Sequence, residues 1–273
     1  MITLASDFGS PYPAAMKGVV RRRSDAELID ASHDLPRGDP RAAAFWLRFV
    51  LPEFPPAVHC AVVDPGVGTD RAAIVVRAGE HAVVAPDNGL ALPPARALAA
   101  ATGTGPEDLA VFKIDATEPA SATFHGRDVF APAAARVRET AWTETGVDDD
   151  ALAALPSLTR VDEYVDCRFP EPTVERDADR VVAVAGEVLV VDDFGNAITN
   201  VPADAVAGVE PGDRVRVNGG DPVPFVETFA SVPRGDRLVT VGSHGYVECD
   251  VNDGRGADAF GVDAGDPVRF SFE

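Results

Sequence analysis

An apolar run that ends abruptly on an acid constrains this chain more than any other stretch. Val58-His59-Cys60-Ala61-Val62-Val63 is followed at once by Asp64-Pro65-Gly66-Val67-Gly68-Thr69-Asp70-Arg71. Six residues of this kind, with no polar face, predict a strand buried on both sides. Pro65-Gly66 turns the backbone where the strand stops. Gly66 and Gly68 carry no Cβ and permit close approach of main chain to a ligand. Arg71 falls within reach of Asp64. An acid held at a strand end by a rigid turn, with a cation beside it, is a way to build a site; a hairpin turn carrying a surface ion pair is the bland alternative. Recurrence of the same design along the chain favours the first.

The recurrence is visible when the chain is read in order. Ile2–Ala5 predicts a strand ending in Ser6-Asp7-Phe8-Gly9, and Pro13 suits the first turn of a helix running through Met16 and Val20. Glu27–Ala31 predicts a second strand, ending in Ser32-His33-Asp34. Asp39-Pro40 reads as an N-cap with proline at the first helical position, ahead of an apolar helix through Val50. Two further strands are expected at Ala73–Val76 and Ala82–Ala85, the latter ending in Pro86-Asp87-Asn88-Gly89. After an alanine-rich stretch comes Thr123-Phe124-His125-Gly126-Arg127-Asp128, with a helix over Val129–Arg138.

Strands alternating with helices predict an α/β domain with a largely parallel sheet. Ligands bind such sheets outside the carboxyl ends of the strands. Asp7, Asp34, Asp64 and Asp87 all sit at predicted strand ends, which points to a polar crevice there. Residues 156–180 are charged, proline-bearing and aperiodic, and read as a linker. Beyond them Val181–Val184, Glu187–Val191, Arg214–Val217, Leu238–Val241, Tyr246–Val251 and Val268–Phe272 predict short strands between Gly, Asp and Asn turns. That pattern suits a small antiparallel barrel or sandwich. The expected organisation is an α/β catalytic domain over 1–155, a linker over 156–180 and an all-β, barrel-like domain over 181–273.

Charge removes several function classes. The 273 residues carry 44 acidic against 24 basic side chains, a net charge of −20, and only Lys17 and Lys113 are lysines. Nucleic acid and anionic membranes need a basic face, so neither is expected as a partner. Acidic residues spread over the whole chain suit a protein adapted to high salt, where self-repulsion is screened. Cys60, Cys167 and Cys249 are odd in number and widely spaced, so neither a disulfide framework nor a zinc site is implied. No secretory leader and no apolar run of membrane-spanning length is read, and a soluble cytoplasmic protein is expected. No dinucleotide fingerprint, phosphate loop, GxSxG or HExxH occurs.

Seven segments then carry a resemblance. In order they are SDFGSPYPAAMKGVV, SHDLPRGDPRAAAF, VHCAVVDPGVGTDR, APDNG, TFHGRDVFAPAAA, GEVLVVDDFGNAITNV and GSHGYVECDVN. Together they span the chain to Asn252, and the chain resembles the S-adenosylmethionine hydroxide adenosyltransferases, relatives of the adenosyl fluorinases and chlorinases. The resemblance implies an N-terminal α/β domain, a C-terminal β-barrel, and a homotrimer with active sites between neighbouring subunits. It implies that water displaces L-methionine from C5′ of S-adenosylmethionine and releases adenosine, with selectivity for the (R)-sulfonium epimer in the hydrolase branch. No cofactor or metal is implied.

The resemblance assigns the catalytic set to Asp64, Arg71 and His125. Water, with a pKa of ~15.7, is a poor nucleophile, whereas a sulfonium already leaves well. The need is therefore to hold one water in line with the C5′–S bond. Asp64 can accept its hydrogen bond or proton, while Arg71 and His125 orient it or stabilise hydroxide character; which group takes the proton stays open at this point. For binding, the resemblance places Asp7 on the ribose hydroxyls, Phe194 against the nucleoside, and Asn196 on an adenine edge. It gives Asp192, Ser243 and Glu248 to the methionine part and main chain near Val251 to the base. Arg127 and Asp128 are read as a local pair, and Asp193 as a solvated turn. Halogenases of the family carry tyrosine where Asp64 stands, which disfavours halide chemistry. Two other readings remain: a metal-dependent hydrolase using Asp7, His33, Asp34, Asp64, Asp87 and His125 as ligands, and a non-catalytic nucleoside-binding protein.

Overall fold

A computed structural model describes residues 1–115, 119–178 and 180–273. The chain divides into two compact units, Met1–Arg168 and Phe169–Glu273.

The first unit is built on a seven-stranded sheet. Its strands are β1 (Ile2–Ser6), β2 (Leu28–Ser32), β3 (Val58–Val62), β4 (Ala73–Ala78), β5 (His81–Pro86), β6 (Leu109–Ile114) and β9 (Leu158–Arg160). A two-residue pairing of β7 (Trp142–Thr143) with β8 (Gly146–Val147) stands apart. The sheet order is β2-β1-β3-β5-β4-β6-β9. β2, β1, β3 and β5 run parallel, while β4 is antiparallel to both β5 and β6, and β9 is antiparallel to β6. The α/β reading therefore holds, with a mixed outer half to the sheet.

Helices α1 (Tyr12–Arg21), α2 (Pro40–Val50), α3 (Leu92–Ala101), α4 (Ala131–Thr140) and the short α5 (Asp149–Ala153) complete the unit. α1 and α4 pack together on one face, where Met16, Val19, Phe130 and Ala134 close over Ile2, Leu4, Cys60, Val62, Val75 and Val84. α2 and α3 pack on each other, and α3 reaches β4 and β5. β3 is buried at every residue, the reason its sequence shows no alternation. Asp39 caps α2 as expected: its Oδ1 accepts from Ala42 N at 2.9 Å, and Pro40 fills the first helical position. The alanine-rich stretch ahead of Thr123 contains α3.

In the second unit every named strand pairing is antiparallel. Its strands are β10 (Thr173–Asp177), β11 (Arg180–Val191), β12 (Ala197–Pro202), β13 (Arg214–Val217), β14 (Val223–Pro224), β15 (Arg237–Val241), β16 (Tyr246–Val251) and β17 (Pro267–Phe272), with a short helix α6 (Gly256–Phe260). The order β14-β13-β17-β11-β12-β16-β15 is nearly closed by a bridge between Phe225 and Val239. Val184, Val188, Val215, Val239, Val247, Cys249 and Phe270 fill the interior. The two strands expected at Val181–Val184 and Glu187–Val191 are one bent strand, β11. Gly186 reads as a turn in sequence, yet it is a glycine because a Cβ there would lie 2.1 Å from Asn200 Oδ1, which accepts from Glu187 N at 2.8 Å. Residues 156–180, expected to link the domains, contribute β9 to one sheet and β10 to the other.

Candidate active site

The carboxyl ends of β1, β2, β3 and β5 share one edge of the first unit's sheet, and Arg71 returns to that edge because β4 starts there. After Val63 the chain turns through Val67 N–H to Asp64 C=O (3.3 Å) and Thr69 N–H to Gly66 C=O (3.2 Å). Thr69 Oγ1 donates to Gly66 C=O at 2.7 Å and accepts from Arg71 N at 3.3 Å. This turn delivers the Arg71 guanidinium to Asp64, with Nη2 donating to Oδ2 at 2.5 Å. Arg71 Nη1 also donates to Ala72 C=O, and the guanidinium lies 5.4 Å from the Phe130 ring centroid. The Asp64 and Arg71 side chains are only 4 % and 11 % exposed. Asp64 Oδ1 and Arg71 Nε are buried with no hydrogen-bond partner among the described residues.

Asp64 lines a cavity of about 550 Å³ with Asp7, Phe8, Tyr12, Phe124 and His125. His125 also lines an adjoining cavity of about 380 Å³ together with Arg71, so it stands between the two halves of the ion pair's surroundings. His125 leads into a wide helical turn at Gly126–Phe130, continuous with α4. Gly126 is required there: a Cβ would lie 2.8 Å from the Phe8 ring. Phe8, Tyr12 and Phe124 meet edge to face at centroid distances of 6.4, 5.9 and 5.3 Å, giving the cavity an aromatic wall. Asp7 is fixed by Gly38 N–H, which donates to Oδ2 at 2.8 Å.

Of the four acids at strand ends, Asp7 and Asp64 line the cavity. Asp87 is bound elsewhere, its Oδ1 accepting from Val165 N at 2.8 Å, and the exposed Asp34 does not line it. A strand-end position fixes where the acid starts but not which loop takes its charge. No group of three or more His, Cys, Asp or Glu side chains able to hold a metal occurs among the described residues. Arg127 and Asp128 form the expected local pair, two bonds of 2.7 and 2.8 Å.

In the second unit, the residues after β11 form a tight turn. Asn196 N–H donates to Asp192 Oδ1 at 2.8 Å, and Asn196 Nδ2 donates to Oδ2 at 3.0 Å. Gly195 at the turn has φ +90°, and Phe194 projects from it, 79 % exposed. Ser243 and His244 occupy the turn between β15 and β16, closed by Gly242 N–H to Tyr246 C=O at 2.8 Å. His244 Nδ1 lies 3.4 Å from Glu248 Oε1. Glu248 is buried over Gly242, where a Cβ would fall 1.7 Å from Oε1. Burial, and then the Asp192 charge, push the Glu248 carboxyl up to about 7. The Val251 carbonyl accepts from Gly254 N at 3.3 Å.

Asp250 is a residue the sequence reading passes over. It lies two positions beyond Glu248 on β16, fully buried, with neither carboxylate oxygen hydrogen-bonded among the described residues. Burial, Glu248 and Asp192 push it up to about 8. The signal was available: an acid on the non-core side of VECDV, where Val247 and Cys249 face the barrel interior.

Comparison with known proteins agrees with this layout. Residues 2–146 match the SAM hydroxide adenosyltransferase N-terminal domain, and residues 186–269 match the corresponding C-terminal domain. The chain is 41 % identical over 275 residues to an (R)-S-adenosyl-L-methionine hydrolase of Salinispora tropica, covering 98 % of this chain and 96 % of that protein. A Thermus thermophilus protein of the same name is 38 % identical, covering 97 % and 96 %. A crystal structure of an uncharacterized conserved protein from Thermotoga maritima superposes with a TM-score of 0.77 at 32 % identity, covering 99 % of this chain and all of that one. With both units matched in order and identity near two-fifths over almost the full length, the chain belongs to the SAM hydroxide adenosyltransferase family.

Proposed function

We infer that this protein hydrolyses S-adenosyl-L-methionine to adenosine and L-methionine by attack of water at C5′. The observation that carries this reading is the buried Asp64–Arg71 pair, in which Asp64 lines a cavity with an aromatic wall and its Oδ1 has no partner among the described residues. A carboxylate with one oxygen tied to arginine presents the other in a fixed direction. Asp64 orients the attacking water and takes its proton as the O–C5′ bond forms. The C5′–S bond breaks with its electron pair staying on sulfur, so methionine leaves as a neutral thioether. One proton is released to solvent per turnover. Arg71 holds Asp64, and His125, between the two cavities, steadies the developing hydroxide. Fixing nucleophile and carbon in line supplies several kcal/mol of the barrier reduction, of order 7 or more in well-oriented cases.

Asp7 is assigned to the ribose hydroxyls, Phe194 and Asn196 to the adenine, and Asp192, Ser243, Glu248 and the main chain at Val251 to the remaining substrate groups. The relatives are (R)-S-adenosyl-L-methionine hydrolases, which makes the (R)-sulfonium epimer the expected substrate. The reading extends to a cytoplasmic homotrimer, with sites completed by neighbouring subunits, working in high salt. No membrane-spanning helix occurs among the described residues.

The test is incubation of the purified protein with both sulfonium epimers, with a strong chelator and with chloride present, beside an Asp64→Asn variant. Adenosine and methionine from the wild type alone, mainly from the (R) epimer, are expected. A 5′-chloro nucleoside would overturn water as the nucleophile, loss of activity with chelator would revive a metal-dependent hydrolase, and bound but intact substrate would leave a binding protein.

A further inference from the structure

β1 and β2 end side by side, and the loops that follow them are zipped together. Gly9 N–H donates to His33 C=O at 3.1 Å, Leu35 N–H donates to Ser6 C=O at 3.1 Å, and Gly38 N–H donates to Asp7 Oδ2 at 2.8 Å. A chain of side chains runs alongside. Lys17 Nζ donates to Asp30 Oδ2 at 2.5 Å, Asp30 Oδ1 lies 3.1 Å from His33 Nε2, and His33 Nδ1 lies 2.7 Å from Ser6 Oγ.

The chemistry of this chain has a direction. A carboxylate only accepts, so His33 Nε2 carries a hydrogen; in the neutral ring Nδ1 is then the acceptor for the Ser6 hydroxyl. The Lys17 and His33 bonds outweigh the upward push of burial on Asp30 and hold it below its ordinary value, keeping it an acceptor. Serine, histidine and aspartate in this order resemble a hydrolytic triad, but Ser6 has no exposed surface and its hydroxyl cannot meet a substrate. What Ser6 does have is position: it is the residue before Asp7, which lines the cavity.

We propose that His33 is a positioning residue that, through Ser6, clamps the backbone carrying Asp7 and so sets the protein's preference for a nucleoside with a vicinal diol. This rests on the reading that Asp7 receives the ribose hydroxyls. A carboxylate gains two hydrogen bonds from a diol only when both oxygens are aimed within a few tenths of an ångström, and steep angular dependence makes a loosened backbone costly.

The test compares binding of adenosine and 2′,3′-dideoxyadenosine by calorimetry to wild type and to Ser6→Ala, His33→Gln and His33→Asn. An asparagine oxygen falls near the place of Nδ1 and keeps an acceptor for Ser6, whereas a glutamine amide reaches toward Nε2 and leaves Ser6 unpartnered. Wild type should prefer adenosine by about tenfold or more, the worth of hydrogen bonds to a charged group. Ser6→Ala and His33→Gln should erase most of that preference while leaving dideoxyadenosine affinity within about twofold, and His33→Asn should retain it. An unchanged preference in Ser6→Ala and His33→Gln, equal weakening of both nucleosides, or His33→Asn behaving like His33→Gln would each overturn the clamp. A wild type that binds both nucleosides alike would overturn the Asp7 assignment, and the clamp with it.

Discussion

Arg71 Nη2 meets Asp64 Oδ2 at 2.5 Å across seven residues of sequence, while Oδ1 of the same carboxylate stays buried and unpartnered among the described residues. One oxygen is structural and the other is available for chemistry. Asp64→Asn keeps the shape but removes the charge that orients the water, so kcat should fall by about 10²–10⁴, the range for a positioned base, with a much smaller change in KM. Arg71→Lys should lose much of the rate as well, because a lysine ammonium cannot reproduce the planar fork lying near Phe130. Single-turnover release of adenosine checks both. Equal activity in Asp64→Asn would remove Asp64 from the mechanism.

Glu248 and Asp250 should make the protein less stable as pH rises. Both are raised well above ordinary carboxyl values, to about 7 and about 8, with burial as the leading cause. The folded state therefore holds protons that the unfolded chain has released above about pH 4. That contribution to stability is complete below about pH 4 and is lost as pH climbs through 7 and 8. Asp250→Asn should flatten the decline and raise Tm by several degrees at pH 9. Thermal denaturation from pH 5 to 9 reads it, and parallel curves for the two proteins would refute the assignment.

The same pair bears on substrate binding. In the proposed reading Glu248 faces the cationic part of the substrate, and a cation favours the ionised carboxyl. Binding should therefore release a proton, and 1/KM should rise from pH 6 to 8 before levelling. Glu248→Gln should lose most of that slope. Calorimetry in buffers of different ionisation enthalpy would detect the released proton directly; its absence would place the cation elsewhere.

His59 works in the opposite sense. Its Nδ1 lies 2.8 Å from Thr3 Oγ1 and its Nε2 lies 2.9 Å from His81 Nδ1, all three residues being buried. Burial, then His81, push His59 down to about 3, and burial pushes His81 down to about 4. The unfolded chain takes up protons below about pH 6.5 while the folded one refuses them. The histidine pair's own contribution to stability should fall as pH drops from 6.5 toward 4, opposing what Glu248 and Asp250 gain over the same interval. His59→Gln should therefore gain in Tm relative to the wild type as pH is lowered from 6.5 to 5, whatever the difference between the two at neutral pH.

What could be read from the sequence divides along physical lines. β3, the Asp39 cap and the Asp64–Arg71 turn were legible because each is specified within about ten residues. α3 was not, since alanine fits many environments and only Pro93 and Pro94, in its first turn, mark a start. β10 reads TVERD and is mostly exposed; an edge strand of charged residues looks like a loop until β11 supplies its partner. The site shows the same limit. Asp34 and Asp87 share the strand-end signature of Asp7 and Asp64, yet Val165 N–H claims Asp87 from far along the chain. Asp250 was hidden because a buried acid is read as surface until the strand's two faces are known.

Gly68 should be intolerant of any side chain. Its φ is +82°, and a Cβ would fall 2.8 Å from Ala122 C=O, in the segment leading to His125. Gly68→Ala must strain the turn or push that segment away, a cost of about 1–3 kcal/mol for the backbone alone. Activity should drop at least tenfold, since a shift of 1 Å can cost about 10² in rate. The folded fraction at 25 °C should change little. Gly103→Ala, at φ +77° with nothing within 4 Å, separates strain from crowding: it should cost stability comparably and rate far less.

Salt should stabilise this protein. Exposed arginine pairs such as Arg168–Glu107 at 3.0 Å and Arg269–Glu175 at 2.7 Å are attractions that salt weakens, but each such pair is worth little. Against them stands an excess of 20 negative charges, whose mutual repulsion opposes the compact state. Screening acts on both, and with 44 acidic against 24 basic side chains the net sum it weakens is repulsive. Raising KCl from 0.1 M to 1 M shrinks the Debye length from about 10 Å to about 3 Å, so Tm should climb over that interval and flatten beyond it. Replacing several exposed acids remote from the cavity with neutral amides should reduce the climb. A Tm that falls with salt would mean that the arginine pairs, rather than the net charge, govern the surface.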